Sequence, residues 1–363
     1  MPRRFLRCCT LLLMIAILMV GNFPVAAQSD GLPDEIVYRF PNHFPEGIAW
    51  DSAHERFLLG SLTVGTIVAV TDDGTVTPFV EFDTPVSTVG LEIAEERGRL
   101  LVAISDASVF SDMTAAGVAM LGAYDLETGE ELWVADLTSY FPDSRHFAND
   151  VAVDPDTGIA YLTDSLAGAI YYVNPDGSTG VWFYDTVLQG VPGVNGIAVV
   201  PGSEELIVAN TTTQMFYLIS LSVPAEGEEL VARPLTIDGG ETKVVGDGLV
   251  FDDNGVLTIV GGGLTTSGRV WFVTQLSSDD NWQTASSVGR FDLDKQASTG
   301  TIRDGQVFII YPEFEALNAG QNAEQFTIQR IDFSAGESNP DSVPTSTPAS
   351  TATPAPAGTE EAG

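Results

Sequence analysis

The sequence predicts an all-β fold, a six-bladed β-propeller, from three observations. The stretch FANDVAVDPDTGIAYLTDSLAGAIYYVNPDG, residues 147–177, alternates short apolar runs with the turns Pro155-Asp156-Thr157-Gly158 and Asn174-Pro175-Asp176-Gly177. Period-two runs between such turns describe an antiparallel meander. With Val181 to Tyr184 it gives four strands in about forty residues, the length of one blade. The second observation is recurrence. Asn195-Gly196-Ile197-Ala198-Val199 leads to Leu206 through Asn210, Asp247-Gly248-Leu249-Val250-Phe251 leads to Val256 through Val260, and Glu46-Gly47-Ile48-Ala49-Trp50-Asp51 leads to Arg56 through Leu59. The third is a polar residue able to ligate a metal just before each first strand, usually followed by glycine. Units of this kind cannot bury their faces alone and must pack around an axis.

In chain order, residues 1–27 read as a secretory signal. Arg3, Arg4 and Arg7 form a positive n-region, Leu11 to Val20 an apolar h-region, and Val25-Ala26-Ala27 a small-residue cleavage site before Gln28. The apolar run is short for a transmembrane helix, and an uncleaved anchor is the alternative. Cys8 and Cys9 would leave with the signal, so the mature chain has neither disulfides nor thiolate chemistry. The expected location is secreted, periplasmic or cell-surface, with no stable membrane insertion after cleavage.

The formal charge is -35, and Lys243 and Lys295 are the only lysines. Such a surface disfavours nucleic acid and anionic lipid, and suits solubility and divalent cations. Residues 28–334 are expected to form the propeller, as a monomer. Asp34 to Phe40 reads as a lone strand that closes the ring on the last blade and removes an open edge. Blade one follows from Phe44, blade two from Val89, and blades three to six from Asn149, Asn195, Asp247 and Thr299. Asp106 to Leu121 and Gln275 to Val288 read as insertions in blades two and five, where binding specificity tends to reside. Residues 335–363, rich in Pro, Ser, Thr and Ala, read as a disordered tail.

First strands line a propeller's channel, so Glu46, Val89, Asn149, Asn195, Asp247 and Thr299 should meet near the axis. Four of these carry oxygen acceptors, and two of the four are carboxylates. Converging like charges call for a cation, and hard oxygen donors favour calcium or magnesium over zinc. Asn-Gly and Asp-Gly are also ordinary turn dipeptides. Asp150 is open as a ligand in place of Asn149, and is read in preference as capping the strand entry through backbone amides. His43, His54 and His146 are read mainly as surface residues, with a site role open for His146. Trp50, Trp182 and Trp271 are read as core. The sequence carries no G-x-S-x-G, Walker A, Rossmann or zinc-helix motif and no EF-hand spacing.

The series Glu46-Gly47, Asn149-Asp150-Val151, Asn195-Gly196-Ile197 and Asp247-Gly248-Leu249 resembles the senescence marker protein/gluconolactonase family, whose structural relatives include paraoxonases. The likeness covers Phe44 to Phe333. It implies a lactonase or esterase in which Glu46, Asn195 and Asp247 bind one divalent cation, most simply Ca2+. It also makes Asp247 the general base and gives Asn149 the contact to metal-bound water or substrate. The family's sugar-binding Arg, two residues before that Asn, is replaced by Phe147. Arg145 is the nearest arginine, and with His146 it completes the expected substrate side. No paraoxonase-like pair of channel histidines can be assigned. A non-catalytic binding propeller with a structural cation is the alternative.

Overall fold

A computed structural model describes residues 31–336, apart from 107, 113, 239–243 and 266–267. The expected signal, 1–27, and most of the expected tail, 335–363, lie outside the described residues.

Six sheets, antiparallel but for one pair in the fifth, follow one another along the chain. Blade one comprises Ile48–Asp51, Arg56–Leu59, Ile67–Val70 and Val76–Val80. Blade three comprises Ala148–Val153, Ala160–Asp164, Ala169–Val173 and Thr179–Tyr184, the meander read from the sequence. Blade six is built from both ends of the chain: Gly300–Arg303, Gln306–Ile310 and Gln325–Ile331, with Glu35–Arg39 as its outer strand. That closing strand runs antiparallel to the last one, Glu35 opposite Gln329 and Arg39 opposite Gln325. Its inward residues, Ile36 and Tyr38, are buried, and its outward ones are exposed.

The core is a set of wedges between neighbouring sheets. Leu58, Leu91 and Val102 pack between blades one and two, and Ile207, Leu218 and Ile259 between blades four and five. Tyr161 and Val208 join blades three and four, and Val260 and Ile309 join blades five and six. Both faces of a blade are therefore covered, and strands such as Ile67–Val70 and Ala160–Asp164 are buried at every position rather than at alternate ones.

Three expectations are corrected. The stretch 275–288 is not an insertion. It is mostly strand, within the hairpin Gly268–Ser277 and Thr284–Leu293, and only Ser278 to Gln283 turn the corner. That corner buries Trp282, at 6% exposure, whereas Trp50, Trp182 and Trp271 are only half-buried. Blade five also has a fifth strand, Thr236–Asp238, parallel to Thr284–Leu293. Finally, His43 and His146 are buried rather than at the surface, and His54 is half-buried between Asp51 and Glu127.

Candidate functional site

A cavity of about 1000 Å³ runs along the axis, walled by the first strands of the blades. Glu46, Asn149, Asp150, Asn195, Asp247 and Thr299 belong to its wall. Among the described residues, Arg145 and His146 stand outside it.

The local backbone explains how these side chains converge. Blades two to five each break register in their first strand: between Thr88 and Leu91, Ala148 and Val151, Val194 and Ile197, and Gly246 and Gly248. A bulge sets two residues against one and re-aims the side chain that it carries. Asn149, Asn195 and Asp247 therefore lie within their strands rather than just before them. Glu46 and Thr299 do precede theirs.

The glycine after the ring residue answers to crowding and not to a turn. A Cβ on Gly47 would lie 2.0 Å from the Val89 carbonyl oxygen, and one on Gly196 would lie 2.1 Å from that of Asp247. Blade three carries Asp150 instead. Its Oδ1 accepts from Val151 N at 2.9 Å, and its Oδ2 reaches blade four to accept from Ile197 N at 3.1 Å. The amide-capping role read from the sequence matches these bonds.

Asn195 is the residue with an open valence. Its Nδ2 donates to Asp247 Oδ1 at 2.9 Å and to Thr211 Oγ1 at 3.1 Å. Its Oδ1 is buried without a partner. An unmet buried acceptor costs about 1–3 kcal/mol. The carboxyls around it are strained in the same sense. Burial pushes Glu46 well above the carboxylate range, and Asp247 and Asp150 add repulsion. Burial pushes Asp247 up to about 7 against the Asn195 bond and the charge of Arg269. It pushes Asp150 up to about 7 against two amide bonds, and Glu92 up to about 8 with help from Asp150. A cation bound among them would relieve both the repulsion and the bare Asn195 oxygen.

Residues 44–275 match the model of the SMP-30/Gluconolactonase/LRE-like region. The chain belongs to this family. A search of curated proteins finds no match. Solved structures of similar fold include the major allergen Mala s 1 of Malassezia sympodialis, with a TM-score of 0.66 and 19% identity, covering 83% of this chain and 96% of that one. A gluconolactonase from Xanthomonas campestris has a TM-score of 0.54 and 19% identity, with 83% and 91% covered. A calcium-binding protein, regucalcin, from Agrobacterium tumefaciens has a TM-score of 0.54 and 17% identity, with 83% and 95% covered.

The family is metal-dependent, and the donors here are all oxygens. Among the described residues, no group of three or more His, Cys, Asp or Glu is placed to hold an ion. A cation here would need oxygen donors besides carboxylates, and Asn195 Oδ1 is one without a partner. The sequence reading missed the residues that hold these side chains in place. Ser165 Oγ accepts from Asn149 Nδ2 at 2.9 Å and donates to Val194 O at 2.6 Å. Thr163 Oγ1 accepts from Asp150 N at 3.0 Å and donates to Asn195 O at 2.7 Å. In the sequence, Thr163-Asp164-Ser165 marks only the end of a strand.

Proposed function

We propose that this chain is an exported, metal-dependent hydrolase that opens a lactone or related ester in its channel. The observation that carries this reading is the unpartnered Asn195 oxygen beside Asp247, among carboxyls that repel one another. Glu46, Asn195 and Asp247 would hold one divalent cation, calcium by its preference for hard oxygen donors. Bound there, the cation would polarise the ester carbonyl and stabilise developing negative charge.

Asp247 would serve as the general base, and the Asn195 amide that donates to its carboxylate supports that reading. Asn149, tethered by Ser165, would contact substrate or water. Phe147 in place of the family's arginine favours a substrate more apolar than a sugar lactone. Export rests on the leader at 1–27, and the acidic, cysteine-free mature chain is consistent with a monomer outside the cytoplasm. The second reading, a binding propeller with a structural cation, is favoured by the same Phe147, since the family's sugar contact is lost.

The test is hydrolysis of aldonolactones, aliphatic lactones and aryl esters with and without chelator. Calcium-dependent turnover that is greatest on the aliphatic lactones is the expected result. Absence of turnover on the whole panel, with calcium still raising Tm, transfers the assignment to the binding propeller.

A further inference from the structure

His146 is 1% exposed, and both ring nitrogens face acceptors. Nδ1 lies 2.6 Å from Asp164 Oδ2, and Nε2 lies 3.0 Å from the Phe141 carbonyl oxygen. A carbonyl cannot donate. Asp164 already accepts the Tyr171 hydroxyl on Oδ2 at 3.2 Å, and the amides of Phe147, Leu166 and Ala167 on Oδ1. With these four donors directed at it, Asp164 meets His146 as an acceptor. For both ring bonds to form, both nitrogens must carry hydrogen.

We propose that His146 is a buried imidazolium that acts with Asp164 as a positioning pair, clamping loop 137–147 to the end of the second strand of blade three beside Asn149. The contacts run outward in both directions. His146 N donates to Ala116 O at 2.8 Å, and a Cβ on Gly117 would lie 2.0 Å from the His146 carbonyl oxygen, so Ala116 and Gly117 are fastened at the same residue. Phe141, which accepts from Nε2, stacks on Tyr184 with ring centroids 4.6 Å apart. On the other side, Ser165 follows Asp164 and holds the Asn149 side chain.

The charged and titratable groups facing the ring are Asp164 with the Tyr171 hydroxyl on it, and Asp136 from the outer strand of blade two. Burial alone would lower the affinity of His146 for its second proton. The Asp164 bond and charge outweigh burial and raise it above 6.5. His43 is the internal contrast. It is equally buried, but the Tyr38 hydroxyl can donate to Nδ1 at 3.0 Å while Nε2–H serves Thr66 O at 3.1 Å, so a neutral ring satisfies both bonds. A proton held more tightly in the fold means that the clamp is complete at low pH and is released as pH rises through the folded-state value.

The proposal rests on the channel reading only in treating Asn149 as a site residue. The chain has three histidines, so imidazole ¹⁵N NMR of the full protein resolves each ring. At pH 6.5, where a free ring is half protonated, His146 should show two protonated nitrogens and His43 a single neutral tautomer. A neutral His146 ring at that pH overturns the proposal. As pH rises to about 9, hydrogen-exchange protection of the Tyr140, Phe141 and Ser144 amides should fall about tenfold once corrected for intrinsic exchange. The Asn149 side-chain amide signal should shift with the same midpoint as the His146 ring. Loop protection indifferent to pH, or an Asn149 signal that ignores the His146 midpoint, overturns the positioning role. Both measurements use the parent protein, so they stand even where His146→Gln fails to fold. If no lactone is hydrolysed, the proposed function falls while these results still decide the clamp.

Discussion

Blades two to five and the closing pair, blades six and one, solve the same packing problem differently. In the first group, the backbone bulges at each ring position and brings neighbouring strands into close contact. In the second, the first strands run in unbroken register, and an arginine joins the kind of side-chain bonds that also link blades three and four. Arg303 grips Asp72 with two bonds of 2.5 and 3.0 Å and lies 4.0 Å from the centre of the Trp50 ring. Thr301 Oγ1 accepts from Trp50 N at 3.2 Å, and Ser298 Oγ donates to the Glu46 carbonyl at 2.9 Å. Glu46 is thus placed by the ring closure, whereas Asn195 and Asp247 are placed by bulges. The candidate site depends on both devices.

Four experiments separate them. The largest effect is expected at Asp247, where Asp247→Asn keeps an oxygen ligand but removes most of the basicity. Turnover should fall ~10²–10⁴-fold under saturating calcium, against a smaller loss of calcium affinity. Parent-like turnover on the best lactone would remove Asp247 from the base role.

Next comes the bulge itself. Gly196→Ala drives a Cβ to 2.1 Å from the Asp247 backbone and should cost about 3 kcal/mol in denaturant unfolding. Gly202→Ala meets nothing within 4 Å and carries only the strain of φ 69, so about 1 kcal/mol is expected. Equal losses would mean that the close approach is not what requires glycine. On the closing side, Arg303→Met removes the cation–π contact and the Asp72 bonds and should cost about 1–2 kcal/mol. Because Glu46 hangs on this junction, calcium affinity should drop more in Arg303→Met than in Gly202→Ala.

The last test uses pH. In chelator, Asp150 and Asp247 keep their protons up to about 7 in the fold, while the unfolded chain gives them up near 4. The native state then binds more protons than the unfolded one, so Tm should fall as pH rises from about 4 to about 7. Calcium should flatten that slope. A chelated protein that gains stability over this range would show that the carboxyls are not strained as described. As a control with the smallest effect, Asn254→Ala, in an exposed hairpin turn, should stay within about 0.5 kcal/mol of the parent.

The blades were legible in the sequence because each hairpin announces itself locally, as Asn174-Pro175-Asp176-Gly177 does. The ring residues were legible for the same reason, since Asn195-Gly196 and Asp247-Gly248 repeat at blade spacing. The bulges were not. A bulge is a relation between two strands, and nothing in Val194 to Ile197 alone states which partner it skips. Thr163 and Ser165 were hidden because their hydrogen bonds cross to blade four, and Arg269 because its charge reaches Asp247 from two strands away. Trp282 looked like part of an insertion because a ten-residue strand, interrupted by Ser and Asp, lacks clean alternation.

The closing strand also sets a schedule for synthesis. Arg39 and its partner Gln325 are 286 residues apart. At ~5–20 residues per second, the N-terminal strand waits ~15–60 s for its neighbour to be translated. By the end of that interval five blades can have stacked, while the ring stays open and one sheet edge remains unpaired. Glu35 and Arg39 place charges along the waiting strand, the kind of residue that discourages a foreign strand from pairing there first.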